Sequence, residues 1–325
     1  MPPIRPLKVL LLPIRKLFSP WCDDVVSIVG ARHELAVFDD SAPIANQFAG
    51  VEAVIDHGGH VGTHEMMDAA TGALLWQLMT IGYEHVDIEY LRRRGLSVAN
   101  VPGSTSAASL AETALMFILM LSHRVRECAS NFEARVWLEP PGREVEGMTL
   151  LIVGLGHSGR CLAKRASALG MRVVGVNRTA PDEQTMRASC LDECHGLDAL
   201  DELLPHADVV SLHVAVAEST RRIIDARRLG LMKRSALLIN VARGALVEEP
   251  ALYEVLQAGH LGGAGLDVFD TEPPDVAHPV FDLPNVVVTP HVGAFTDGSS
   301  RKRAEFMAGN IDRVAQAAAP LCRVG

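Results

Sequence analysis

Gly154, Gly156 and Gly159 follow directly on an apolar run, Leu150 to Val153, within Thr149 to Arg160, TLLIVGLGHSGR. A GxGxxG turn between a buried strand and a helix start is suited to holding a pyrophosphate. Gly154 permits the turn, Gly156 lets the backbone approach the phosphates, and Gly159 lets the helix pack closely on its strand. The free N–H groups of the helix start, from His157 and Ser158 to Arg160, then face the anion. Such a turn alone is weak evidence, so its surroundings decide. Cys190, Cys194 and His195 are also of metal-ligating types, but no second pair accompanies them, and they read as helix-surface residues with no metal. The six cysteines, irregularly spaced, form no disulfide framework.

The elements that must position the glycine turn alternate along the whole chain. From Lys8 to about Asn100, the runs KVLLL, ELAVF, AVID, LLWQLM and LSVAN are interleaved with amphipathic segments. Asp87 to Arg94 has the acidic start, basic end and following Gly95 of a short helix. This βα rhythm predicts a small parallel-sheet domain. Val101, Pro102 and Gly103 break it, Ser104 to Ser106 can cap a new helix, and a long one is expected over Ala107 to Arg126.

Beyond the glycine turn, strands are expected at Arg172 to Val176, Asp208 to His213, Ala236 to Val241, in GAGLDV and at Val286 to Thr289. That pattern predicts a doubly wound sheet of about seven strands. A last helix, roughly Ser299 to Ala318, has no strand left there and is expected to pack on the first domain. The fold class is therefore α/β with two Rossmann-like parallel-sheet domains. Residues 1–102 plus 296–325 form a discontinuous substrate domain, and 103–295 the dinucleotide-binding domain.

GLGHSGR, INVARGALVEE (Ile239 to Glu249), GLDVFDTEPP (Gly265 to Pro274) and VVVTPHVGA (Val286 to Ala294) occur in the order and spacing of the D-2-hydroxyacid dehydrogenases. TIGYEHVD and the VPG followed by Leu110 to Glu112 also resemble family segments. The resemblance is to the glyoxylate and hydroxypyruvate reductases among them. It implies reduction of a 2-keto acid to a D-2-hydroxy acid with a hydride from a nicotinamide, and three catalytic residues. Arg243 is the cation that holds the carboxylate bidentately and polarises the neighbouring carbonyl. His291 supplies the proton. Glu272 hydrogen-bonds His291, fixes its tautomer and raises its pKa. In the first domain the resemblance implies a carboxylate clamp from the N–H groups of Ile81 and Gly82, with Gly58, Gly59 and His60 beside the substrate side chain. His213, Val241 and Asp267 match cofactor-side positions, although an acidic residue ending a strand also forms turns.

Departures from the family pattern sharpen the cofactor. Where an Asp or Glu would bind the ribose 2′-hydroxyl of NAD, this chain has Asn177, Arg178 and Thr179. NADP(H) is thus favoured, with NAD(H) as the alternative. Ser158 replaces an aliphatic residue in the glycine turn, and Ala215 replaces a proline after His213.

Composition bounds the partners. With 48% hydrophobic and 21% charged residues in 325, the chain is globular, and a net charge of −9 argues against a nucleic-acid surface. Arg15 and Lys16 cut the first apolar run short of a signal peptide, and Ala114 to Leu121 falls short of a membrane span. A cytoplasmic homodimer acting on a small 2-keto or 2-hydroxy acid is expected, its cleft closing to exclude water. Two other readings share the fold. Formate dehydrogenase needs no proton donor and pairs its histidine with glutamine, so Glu272 argues against it. A cofactor-sensing corepressor can retain all three residues and is separated by turnover. The chain also lacks the regulatory extension of many phosphoglycerate dehydrogenases, which makes that substrate less expected.

Overall fold

The computed structural model describes residues 5–13, 18–57, 62–84, 86–179 and 181–324. The chain divides into two units: one runs to Thr105 and resumes at Phe295, and the other is Ser106–Ala294.

The first unit is built on five strands, β1 (Lys8–Leu12), β2 (Glu34–Val37), β3 (Ala53–Asp56), β4 (Leu75–Leu78) and β5 (Ser97–Ala99). They pair in parallel in the order β2-β1-β3-β4-β5. Successive side chains of a strand point to opposite faces. Val9, Leu11, Ala53, Ile55 and Leu75 therefore enter one core, and Leu10, Leu12, Val54, Trp76 and Leu78 the other. The helix Asp297–Ala315, capped by Thr296, completes the first core with Ala304, Met307, Ala308 and Ile311. The helix Ile88–Arg93 covers the other face with Leu91, and its N-cap Asp87 accepts from the Tyr90 N–H.

The second unit carries β6 (Thr149–Val153), β7 (Arg172–Val176), β8 (Glu193–His195), β9 (Val209–Leu212), β10 (Leu237–Asn240), β11 (Gly263–Leu266) and β12 (Val286–Val288). Their order is β12-β11-β10-β9-β6-β7-β8, all parallel. The order reverses between β6 and β9, and ligands of such sheets bind beyond the carboxyl ends of the strands at this point. The glycine turn follows β6 directly.

Three local expectations are corrected. The helix from Ala107 ends at Ser122 and not near Arg126, because Arg124 is left-handed (φ 51°) and starts a second helix, Val125–Glu133. Cys190 is a left-handed turn residue and Cys194 lies on the edge strand β8, so neither sits on a helix surface. Finally, Gly103–Ser122 is long and apolar enough by composition to cross a bilayer, with a mean hydropathy of 1.5. Within the second unit its Ala111, Ala114, Phe117 and Ile118 pack into the core beside Leu150, Ile152 and Ile239.

Candidate active site

The glycine turn is fixed by contacts that admit no side chain. Gly154 has φ +104°, and a Cβ there would lie 2.7 Å from the backbone of His213 and Val214. At Gly159 a Cβ would lie 2.0 Å from the Gly154 carbonyl oxygen. Gly156 is different, since the space beside it is open. The helix that begins there, His157–Ala168, has no side-chain cap, so its first N–H groups are offered outward. An open backbone approach beside uncapped amides fits a diphosphate. Ser158 then bonds across the turn: its hydroxyl lies 3.0 Å from His213 Nδ1, and Ser211 Oγ lies 3.0 Å from Nε2. Burial lowers the His213 pKa to about 4, which keeps the imidazole neutral. At the end of β7, Asn177 donates to the Thr179 carbonyl at 2.8 Å, while Arg178 and Thr179 are exposed. Val241 is buried at the end of β10.

Arg243, Glu272 and His291 come from three loops at the carboxyl ends of β10, β11 and β12. His291 Nδ1 lies 2.6 Å from Glu272 Oε2, while Glu272 Oε1 accepts from the Phe269 N–H at 3.0 Å. Burial pushes the Glu272 pKa up. The His291 bond, the Phe269 N–H and the charges of His291 and Arg243 outweigh it and hold the carboxyl below its ordinary value. Arg243 donates to the Ala242 carbonyl, and the buried Asn240 braces the same loop through the Arg243 carbonyl and the Ala242 N–H.

Asp267 is a support of the His291 loop. Its carboxylate is 1% exposed and accepts from Thr289 Oγ1 at 2.6 Å, and from the Val292 and Gly293 N–H groups at 2.8 Å each. These bonds hold the loop in which His291 adopts a left-handed φ of 55°. Asp267 therefore shapes the loop that presents His291.

In the first unit, the carbonyls of Ile81 and Gly82 are pinned by Asn100 Nδ2 at 2.6 Å and Thr80 Oγ1 at 2.7 Å. Their N–H groups donate to none of the described residues. Two adjacent free amides fit a carboxylate. Gly58, Gly59 and His60 lie outside the described residues.

Residues 115–293 match the sequence profile described as D-isomer specific 2-hydroxyacid dehydrogenase, NAD binding domain. The chain belongs to the D-isomer-specific 2-hydroxyacid dehydrogenase family. It is 34% identical to a hydroxypyruvate reductase of Thermotoga maritima over 74% of this chain and 77% of that one. It is 32% identical to a D-3-phosphoglycerate dehydrogenase of Methanocaldococcus jannaschii over 91% of this chain, but spans only 56% of that enzyme's length. Among solved structures, the TT0316 protein of Thermus thermophilus superposes with a TM-score of 0.80 at 35% identity, covering 98% of this chain and all of that one.

Within this dehydrogenase framework, motif reading covers some supporting residues without revealing what they do. Gly244 is one: a Cβ there would lie 1.8 Å from the Phe269 carbonyl carbon. Glu249 is another, accepting from the Asp270 N–H at 2.6 Å. Burial first, then the charges of Asp270 and Glu272, raise the Glu249 pKa against that bond. The legible signal was a polar residue ending a buried strand, as at Asn240, and a glycine in the loop that follows, as at Gly244.

Proposed function

We propose that this chain is a D-2-hydroxyacid dehydrogenase that runs as a 2-keto acid reductase with NADP(H) favoured over NAD(H). The observation that carries the reading is the 2.6 Å pair of His291 and Glu272, with the Arg243 charge acting on the same carboxylate. A bound nicotinamide dinucleotide would supply the hydride; the open face of Gly156 and the uncapped helix start would hold its diphosphate.

The remaining chemistry belongs to the chain. Arg243 holds the substrate carboxylate and polarises the adjacent carbonyl; in the first unit, the Ile81 and Gly82 amides are suited to a carboxylate. His291 Nε2 is left for the substrate, because Nδ1 is committed to Glu272. The imidazolium gives its proton to the carbonyl oxygen as negative charge develops there. Glu272 holds the ring in that orientation and stabilises its charged form, as the acid behind a catalytic histidine does. Exposed Arg178 and Thr179, directly after Asn177 where the family carries an Asp or Glu at the end of β7, suit a ribose 2′-phosphate. The protein is proposed to be a homodimer.

Steady-state oxidation of NADPH and NADH against glyoxylate, hydroxypyruvate and bulkier 2-keto acids tests the reading. Turnover is expected with at least one acid and loss of it in His291→Ala with cofactor binding intact. Cofactor binding without turnover on any acid refutes it in favour of a cofactor-sensing protein.

A further inference from the structure

The first unit buries a cation and two neutral N–H-bearing rings that the proposed reduction does not use. Arg303, from the helix Asp297–Ala315, is 5% exposed, donates to the Met79 carbonyl at 3.0 Å and lies over the Trp21 ring at 4.3 Å. His57, directly after β3, is 3% exposed, and its ring lies 6.0 Å from that of Trp21, itself 2% exposed. Neither Trp21 Nε1 nor His57 Nδ1 has a hydrogen-bond partner among the described residues. Buried polar groups are almost always satisfied, so two together in a native core call for an explanation.

Their position and charge supply one. The sheet order β2-β1-β3-β4-β5 reverses at β1, and ligands of such sheets bind beyond the strand ends at the reversal. His57 stands at the end of β3, and its N–H reaches the carbonyl of Leu12, the last residue of β1. Met79, which Arg303 holds, is two residues before Ile81 and its free amide. Burial lowers the Arg303 pKa only to about 9, so the guanidinium is charged at neutral pH. Burial, then the Arg303 charge, takes the His57 pKa to about 4 and keeps that ring neutral. Asp56, the neighbouring carboxylate, points to the other face of the sheet and accepts from Trp76 Nε1. One cation, one indole N–H and one imidazole able to donate form a set of donors selective for an anion.

We propose that Arg303, Trp21 and His57 form an anion subsite that receives a second acidic group of the substrate, a carboxylate or a phosphate. Resting on the reductase reading, this assigns the substrate class as 2-keto acids that carry two anionic groups.

Matched substrates test it with NADPH as reductant: 2-oxoglutarate against 2-oxopentanoate, and 3-phosphohydroxypyruvate against hydroxypyruvate. The added anion is expected to raise kcat/KM at least ~10-fold in one pair, and which pair responds identifies the group. Arg303→Met should bring that ratio near one, mainly through the KM of the dianion, with partial recovery in Arg303→Lys. Trp21→Phe, which keeps the ring and removes the N–H, should raise the same KM several-fold and serves if Arg303→Met does not fold. A wild-type ratio at or below one in both pairs overturns the proposal, as does a ratio unmoved in the variants.

A binding arm separates the two readings. Thermal unfolding of the full chain, without cofactor, is followed with succinate and with inorganic phosphate. A midpoint raised in wild type and unmoved in Arg303→Met supports the subsite even if no keto acid turns over, an outcome that refutes the reductase alone. No anion-dependent rise in wild type overturns the subsite whatever the turnover.

Discussion

Gly244 packs directly on the backbone of Phe269, so the loop bearing Arg243 and the loop bearing Glu272 meet with no side chain between them. A Cβ at Gly244 would also lie 2.2 Å from the Asp270 nitrogen, which Glu249 already holds in place. Gly244→Ala must push the Glu272 loop away. The expected cost is ~1–3 kcal/mol of stability, with a larger fractional loss of kcat because Glu272 moves off His291. Thermal unfolding and steady-state kinetics of the same preparation check both.

Glu272→Gln keeps the shape of the partner of His291 and removes its charge. The imidazolium then loses its counter-ion, and the pH profile of kcat/KM for reduction should move to lower pH. An unchanged profile would falsify the assigned pairing.

Arg178→Asp places a carboxylate where a 2′-phosphate is proposed to sit. The ratio of kcat/KM for NADPH to that for NADH should fall by ~100-fold or more, as a charge-assisted contact becomes a repulsion. At least tenfold preference for NADH in the wild type refutes the NADP(H) reading before any variant is made.

Acid should destabilise both units. His57 and His213 each have a folded-state pKa near 4, below the ordinary 6.5, so the unfolded chain binds more protons between those values. Stability is full above pH 6.5 and is lost as pH falls toward 4. For buried His57 the loss approaches roughly 3 kcal/mol. Denaturant midpoints from pH 7 to 4 should decline, less steeply in His213→Gln; a flat curve contradicts the buried neutral rings.

An apolar arm spans the end of the helix Val125–Glu133 and the segment after it: Phe132 and Trp137 meet edge to face at 5.8 Å, with exposures of 68% and 70%, and Leu138 is fully exposed. A patch of this kind marks an association surface. Trp137→Glu with Leu138→Glu should shift the sedimenting species from dimer to monomer. A wild-type monomer at micromolar concentration refutes the proposed dimer.

The glycine turn was legible because its chemistry admits few residue types, and the alternating strands because burial on both faces demands unbroken apolar runs. Less was legible where tertiary contacts outweigh local preference. Nothing in HRVRE marks Arg124 as left-handed, a conformation uncommon for a residue with a side chain. The motif marked Asp267, but not that it holds N–H groups some 25 residues away in sequence. Arg303 was hidden in SSRKRAEF, which reads as a solvated charge run. Arg301 and Lys302 are exposed, while the turn of the helix carries Arg303 inward beside Ala304 and Met307.

The first unit is interrupted in sequence by the second, and its core is closed by the helix Asp297–Ala315. During synthesis, a ribosome therefore releases Ser106–Ala294 as a contiguous segment able to fold while its host sheet still lacks one wall. Until that helix emerges, the apolar face of β1 and β3 is covered only in part, by Trp21, Cys22, Val25 and Val29. Emergence of Ala304, Met307, Ala308 and Ile311 is therefore the step that removes the remaining apolar surface of the amino-terminal half from aggregation.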